Sequence, residues 1–215
     1  MSSSRSTRPR DPGAGVADTA AGAVAQAVAD AVADAVSAYR DNGDLPLLHD
    51  RLAALDGDAD ALAVAAEPYR EIPEVAGPIY ERIVADQPNN ARALVILGSA
   101  YWMHGRGPDV VGALAARALA ADPGHRGAWH LWALTESDQR ARVTRWQQVS
   151  RRFPDDDLAR ANLADNAASL ASAEHDPVAL GIALDTYVAL RDRATSDVQR
   201  TALDRAITTL SSWRL

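Results

Sequence analysis

The sequence predicts an all-α fold, a solenoid of stacked helical hairpins, and three observations predict it. Five landmarks recur in one order at fixed offsets. Tyr80/Ala115/Trp146, Ile83/Ala118/Val149, Pro88/Pro123/Pro154, Leu97/Trp132/Leu163 and Gly98/Ala133/Ala164 each step by 35 and then by 31 residues. A period of this size marks an array of small repeated units that bury their apolar faces on one another. Between the landmarks, apolar residues return at three- and four-residue spacing, as on one face of a helix. The intervals between those stretches carry proline, glycine, aspartate and asparagine, residues that end one helix and cap the next.

The elements follow in order. Residues 1–15 read as a disordered tail. Arg5, Arg8 and Arg10 resemble the charged start of a signal peptide, but the stretch after them is alanine broken by Asp18, Asp30 and Asp34, too weakly apolar for a secretory core. Residues 16–40 form an alanine-rich helix with Val24, Val28, Val32 and Val36 as a stripe, ended by Asn42-Gly43. So thin a stripe needs a partner surface, and docking as an end cap is preferred over pairing between copies or fraying. A short helix over Leu45–Leu55 carries Leu48, Leu52 and Leu55. Together these make a segment 16–57 that precedes a repeat domain 58–215. The next helix starts near Asp58 and stops around Glu67, before Pro68. Pro73 and Gly77-Pro78 then make the helix of Tyr80, Ile83 and Val84 begin late or kink.

From Gln87 the pattern is regular. Asn90 caps a helix bearing Ala93, Leu94, Leu97, Ala100 and Tyr101, and Gly105–Pro108 reverses the chain. Val110, Val111, Leu114, Ala118 and Leu119 line the returning helix up to Asp122-Pro123-Gly124. A shorter helix holds Trp129, Trp132 and Ala133, and its partner holds Val143, Trp146 and Val149. Pro154 and Asp155–Asp157 stop that helix and start a third pair over 158–172 and 177–192. Ser196 with Gln199 forms a capping box for a last helix that ends near Trp213.

Composition removes several chemistries. With no cysteine there is no disulfide, thiolate metal site or cysteine nucleophile. All 22 basic residues are arginine, which reads as the codon bias of a GC-rich bacterial genome. The net charge of −7 argues against nonspecific nucleic-acid binding, which rests on clustered basic residues. No apolar run approaches the ~20 residues of a membrane span, so a cytoplasmic protein without membrane insertion is expected.

The landmarks resemble the tetratricopeptide repeat (TPR). Leu94, Leu97, Gly98, Tyr101, Gly105, Ala118 and Pro123 follow that family's order, with one extra residue in the turn. Trp129, Trp132 and Ala133 open the next repeat, with Glu136 where the family has tyrosine. The third repeat keeps only Leu163 and Ala164 in its first helix, and its second ends without a proline. The resemblance spans residues 58–213 and is specific over 76–164. It implies a right-handed solenoid of roughly three repeats with the alanine-rich helix before it and a capping helix after it. It also implies a concave groove, lined by first helices, that takes a protein or peptide. On this sequence Arg92, Val95, Ser99, Trp102, Met103, His130, Leu134 and Asp165 fall on that groove. The basic and asparagine residues with which some members clamp a terminal carboxylate are absent from most of these positions, so a chaperone-tail receptor is not expected.

Trp102, one residue past the packing Tyr101 and beside Met103, is turned about 100° toward the groove and is the leading contact residue, with packing on the N-terminal segment as the alternative. Trp129, Trp132 and Trp146 hold packing positions and are expected in the core. Asp56, Asp58, Asp60 and Glu67 match the spacing of a calcium loop, but Ala61 stands where the loop needs glycine. Capping by Asp58 is the preferred reading. His104, His125 and His130 share no helix face, so no metal site is expected. The stretch Arg140, Arg142, Arg145, Arg151 and Arg152 reads as a solvated face offset by aspartates, with acidic partners as the alternative. No catalytic constellation, cofactor or metal is predicted. The expected function is a protein-interaction adaptor. Self-assembly into a homo-oligomer through residues 16–40 is the first rival, a calcium-binding or enzymatic protein the second and an RNA binder the third.

Overall fold

The computed structural model describes residues 12–214, and residues 1–11 of the expected tail lie outside them. The helices are α1 (Pro12–Asn42), α2 (Leu45–Ala53), α3 (Ala59–Ala66), α4 (Pro73–Asp86), α5 (Ala91–Met103), α6 (Pro108–Ala121), α7 (Arg126–Leu134), α8 (Gln139–Arg152), α9 (Asp157–Glu174), α10 (Pro177–Arg193) and α11 (Asp197–Ser211), with one 3₁₀ turn at Glu67–Tyr69. No strand occurs among the described residues. The chain divides into two compact units, one ending at Pro88 and the other beginning at Asn89.

In the first unit the valine stripe docks. Val28, Val32 and Val36 are buried, and α1 packs on α2 and α3. Burying a valine contributes about 1.5–3 kcal/mol, enough to seat a helix whose alanines offer little else. Gly57 sits where the α2–α3 loop presses on this stripe, and a Cβ there would lie 2.9 Å from Val28 Cγ2. Only Val24, 51% exposed, remains outside the contact. Asp44 caps α2 by accepting from the Leu47 amide, and Asp58 caps α3 by accepting from Ala61. At the other end of α2, Arg82 from α4 donates to the carbonyls of Leu52 and Leu55 at 3.2 and 3.0 Å. These acceptors have no partner within a helix that is ending.

The prolines of α4 are placed according to their missing amides. Pro73 is the first helical residue, where no amide is needed, so the helix does not begin late. Pro78 lies inside it and forfeits the bond to the Glu74 carbonyl. The residue before a proline is normally pushed out of the helical region by its own Cβ. Gly77 has none, and a Cβ at that position would meet no other atom within 4 Å, so relief of the proline clash is what glycine supplies there.

In the second unit α5/α6, α7/α8 and α9/α10 form successive hairpins, each packed on the next, and α11 closes on α10. Asn90, His125, Asp138, Asp156, Asp176 and Ser196 cap α5, α7, α8, α9, α10 and α11. Gly105 and Gly107 take positive φ, 69° and 86°, in the α5–α6 turn. Apart from Trp132 and the prolines, which end helices at the surface, the sequence landmarks coincide with the core. Tyr80, Ala115, Trp146, Ile83, Ala118, Val149, Leu97, Leu163, Ala133 and Ala164 are all buried. Of the residues expected to line α6, Val110 instead faces solvent.

The two steps of the repeat have a local cause. Helix α7 has 9 residues where α5 has 13, and the four missing residues are the difference between 35 and 31. The helices start in register, Ala91 matching Arg126, so the loss falls at the C-terminal end of α7. Where α5 and α7 meet, both sides are glycine. A Cβ on Gly98 would lie 2.7 Å from Leu131 Cδ1, and one on Gly127 would lie 2.8 Å from Val95 Cγ1. Replacing Gly98 by valine therefore overfills this seam and costs about 1–3 kcal/mol. Gly181→Ala within α10, where an added Cβ meets nothing within 4 Å, raises stability by about 0.5–1 kcal/mol. Urea unfolding followed by tryptophan fluorescence reads both, and equal signs for the two variants refute the packing argument.

Candidate partner-binding face

The eight residues expected to meet a partner lie on α5, α7 and α9. On α5, Arg92 is exposed near the helix start. Val95 is half-buried against the cluster of Val111, Ala115 and Leu131. Ser99 turns its hydroxyl back to donate to the Val95 carbonyl at 2.9 Å. Trp102 and Met103, in the last turn, are 38% and 56% exposed. Because α7 stops four residues short, that last turn has no matching turn on its neighbour. The missing residues thus account for an uncovered tryptophan and methionine side by side, in a chain whose other apolar residues mostly reach the core.

On α7 and α9 the expected residues are already engaged. Leu134 packs against the cores on both sides of it. His130 stands edge-on to the Trp146 ring, centroids 5.4 Å apart, and its Nε2 is 2.7 Å from Asp156 Oδ2. Asp156 is only 5% exposed and serves several donors at once. Its Oδ1 accepts from the Ala159 amide at 3.0 Å as the cap of α9, and Arg126 Nε lies 3.7 Å from Oδ2. Burial alone would raise the carboxyl's pKa, but the Ala159 amide, the His130 ring and the Arg126 guanidinium outweigh it and hold the group below the usual range. Asp165, on the exposed side of α9, accepts from the Tyr187 hydroxyl at 2.5 Å. Burial, then the bond to Asp165, pushes that phenol well above its ordinary pKa.

The structure also shows a cleft that pattern reading missed. It encloses about 580 Å³ between α9, α10 and α11, with Ala168, Ser169 and Ser172 on one side and Tyr187, Thr209 and Trp213 on the other. Its one visible sign in the sequence is the run of small residues at i, i+1, i+4 and i+5 on α9, Ala168, Ser169, Ser172 and Ala173. Those residues leave room, and the rings of Tyr187 on α10 and Trp213 just after α11 wall it. A second cleft, about 620 Å³, lies in the first unit between α1 and α2, beside the exposed Val24.

The remaining expected groups are dispersed. Asp58 caps α3, Asp60 accepts from Gln87, and Glu67 pairs with Arg70. His125 Nδ1 accepts from the Ala128 amide, and His104 sits at the end of α5. Among the described residues no group of His, Asp and Glu side chains is arranged to hold a metal ion. Trp146 is buried as expected, but Trp129 and Trp132 are only partly so. They meet edge to face at 5.3 Å, with Arg145 over Trp132 and Arg152 over Trp129. Glu136, the departure from tyrosine, pairs with Arg145 and so holds that guanidinium on the ring.

No protein-family model and no curated protein matches the sequence. Solved structures do match in shape. TTC0263, described as a thermophilic TPR protein of Thermus thermophilus, aligns with a TM-score of 0.55 at 16% identity, over 83% of this chain and 98% of its own. The pilF protein of Pseudomonas aeruginosa gives 0.56 at 16% identity, over 86% of this chain and 85% of its own. MamA gives 0.50 at 17% identity, over 69% and 91%. The fold is therefore that of a TPR-like helical repeat protein. No helix among the described residues is long and apolar enough to cross a membrane.

Two measurements test the polar geometry. Asp156→Ala removes a cap and strands the His130 ring, so it costs about 1–3 kcal/mol at neutral pH. A carboxyl whose folded pKa is depressed stabilises above its unfolded value and loses that contribution as pH falls through the folded one. The gap between wild type and variant in urea therefore closes below about pH 4, and a gap that persists in acid contradicts the assignment. For Tyr187 the sign is opposite: its contribution is present below the ordinary phenol pKa and lost as pH rises through the raised one. Asp165→Asn lowers the pH at which the Tyr187 ring ionises, read from its ¹³Cζ shift, and an unmoved titration removes the bond from the account.

Proposed function

We propose that the unit beginning at Asn89 is an adaptor that holds a protein or peptide partner along the face carrying Arg92, Val95, Ser99, Trp102, Met103, His130, Leu134 and Asp165. The observation that carries the reading is the uncovered last turn of α5. Tryptophan and methionine are enriched at the centres of interfaces, and here both are exposed because the neighbouring helix is short. The bonds from His130 to Asp156 and from Tyr187 to Asp165 support it. They hold two polar side chains in one orientation before a partner arrives, which lowers the entropy lost on binding. The repeat architecture shared with the TPR structures supports a scaffold role, and the work of such a protein is positioning rather than bond chemistry. The alanine- and arginine-rich composition, free of lysine, supports a bacterial source with a GC-rich genome.

Self-assembly through residues 16–40 has less support. Val28, Val32 and Val36, the stripe that would join two copies, are covered by α2 and α3.

The test is affinity capture from a lysate of the source organism with the wild-type chain and with Trp102→Glu, the retained proteins being identified by mass spectrometry. Trp102 is 38% exposed, so the substitution forfeits part of its burial and costs about 1–2 kcal/mol, and the variant's fold is verified before capture. Loss of a specific protein from the folded variant supports the reading. Identical sets from both forms, or recovery of this chain alone, refute it.

A further inference from the structure

Many arginines of the second unit are paired with carboxylates, while Arg106, Arg142 and Arg205, like the two at the end of α8, have none within 4 Å among the described residues. Arg140 pairs with Glu174 and Asp176, Arg145 with Glu136, Arg160 with Asp157, Arg191 with Asp192, Arg193 with Asp157, and Arg200 with Asp197. Arg151 and Arg152, the last two residues of α8, have no carboxylate within 4 Å among the described residues, and both are exposed.

Arg152 is nevertheless held in place. Its Nη2 donates to the Pro123 carbonyl at 3.1 Å, the same oxygen that accepts from Trp129 Nε1 at 2.9 Å. Its guanidinium lies over the Trp129 ring at 5.4 Å and over the Phe153 ring at 5.8 Å. From the other side of the turn, the Arg126 guanidinium lies over the same Phe153 ring at 5.7 Å. Arg126 is 62% exposed, and its one carboxylate neighbour, Asp156, is already bonded more closely by His130 and the Ala159 amide. The start of α7 and the end of α8 thus present two guanidiniums on one aromatic platform, and Arg151, next to Arg152 in sequence, is exposed. Most of their donors point to solvent. A planar guanidinium fork pre-set on rings matches a carboxylate in two-point geometry and loses little entropy in binding it.

We propose that this platform is a second interaction surface, one that takes an acidic segment of a protein partner. The carboxylates lie between Arg126 and Arg152, and the segment's backbone and side chains rest on Trp129 and Phe153. Asp122, Asp155 and Asp157 border the platform in sequence, and the whole chain carries −7. A continuous polyphosphate would meet those carboxylates on either flank, whereas a segment with one or two carboxylates would not. The surface is built from the opposite helix ends to those that expose Trp102 and Met103. Its failure therefore leaves the adaptor reading standing.

The test is fluorescence anisotropy with a labelled peptide of about 12 residues that carries two neighbouring glutamates among serines, its glutamine counterpart, and a single-stranded oligonucleotide, at ionic strengths of about 0.05 and 0.5 M. The glutamate peptide is expected to bind at least about tenfold more tightly than the glutamine one, and to weaken in salt. Arg126→Gln with Arg152→Gln is expected to abolish the difference. Arg152→Lys, which keeps the charge but not the fork, is expected to restore only part of it. Because Arg152 packs on two rings, Arg151→Glu, which lies over no ring, is measured beside it; it keeps the fold and is expected to weaken the glutamate peptide. Arg200→Gln, whose partner is Asp197, is expected to leave affinity unchanged. Equal affinity for the two peptides, an unaltered affinity in both the double variant and Arg151→Glu, or tighter binding of the oligonucleotide overturns the proposal.

Discussion

The second unit rests on how closely α5 and α7 approach. A helical hairpin leaves an apolar face that only its neighbour can cover, and the covering works only where something small lets the backbones near. Gly98 meets Leu131, and Gly127 meets Val95. At the equivalent positions further along, Ala133 and Ala164 are fully buried. Once these sites are small, the larger landmarks Leu97, Leu163, Trp146 and Val149 can be buried, and Trp132 and Leu134 pack against the buried clusters on both sides of them. The first unit uses the same device once, at Gly57 against Val28.

Polar residues then set where most of the helices begin. Asp44, Asp58, Asn90, Asp138, Asp156, Asp176 and Ser196 each accept from an amide in the first turn. Among the described residues Asp156 alone does this while buried, with its second oxygen bonded to the His130 ring and faced by the Arg126 guanidinium. The cap of α9 is thus also a link to α7. A residue placed by pattern on a binding face proves to carry structure as well.

Much of this was legible in the residues. The caps, the glycine turn, the hairpin pairing and the buried landmarks follow from local chemistry and a period, because each depends on residues near in sequence. What escaped depended on residues far apart. Trp129 and Trp132 occupy packing positions, yet they are only partly buried and arginines from α8 cover part of their rings, which no spacing within α7 reveals. The α9–α11 cleft needs Tyr187 and Trp213 to be brought over the small residues of α9. The change from 35 to 31 was plain as a number. Its effect on Trp102 and Met103 appeared only once the shortened helix had a neighbour beside it.

The closing helix carries a consequence of its own. Of the residues of α11 only Leu210 is buried, so little holds this helix beyond its packing on α10. In a one-dimensional array the weakest terminal element opens first, at a free-energy cost well below that of global unfolding. The cleft walled by Tyr187 and Trp213 exists only while α11 is closed. Any molecule seated there gains affinity only from the closed population and lowers amide exchange throughout the last helix. Fraying at this end and occupancy of the cleft are therefore two sides of a single equilibrium.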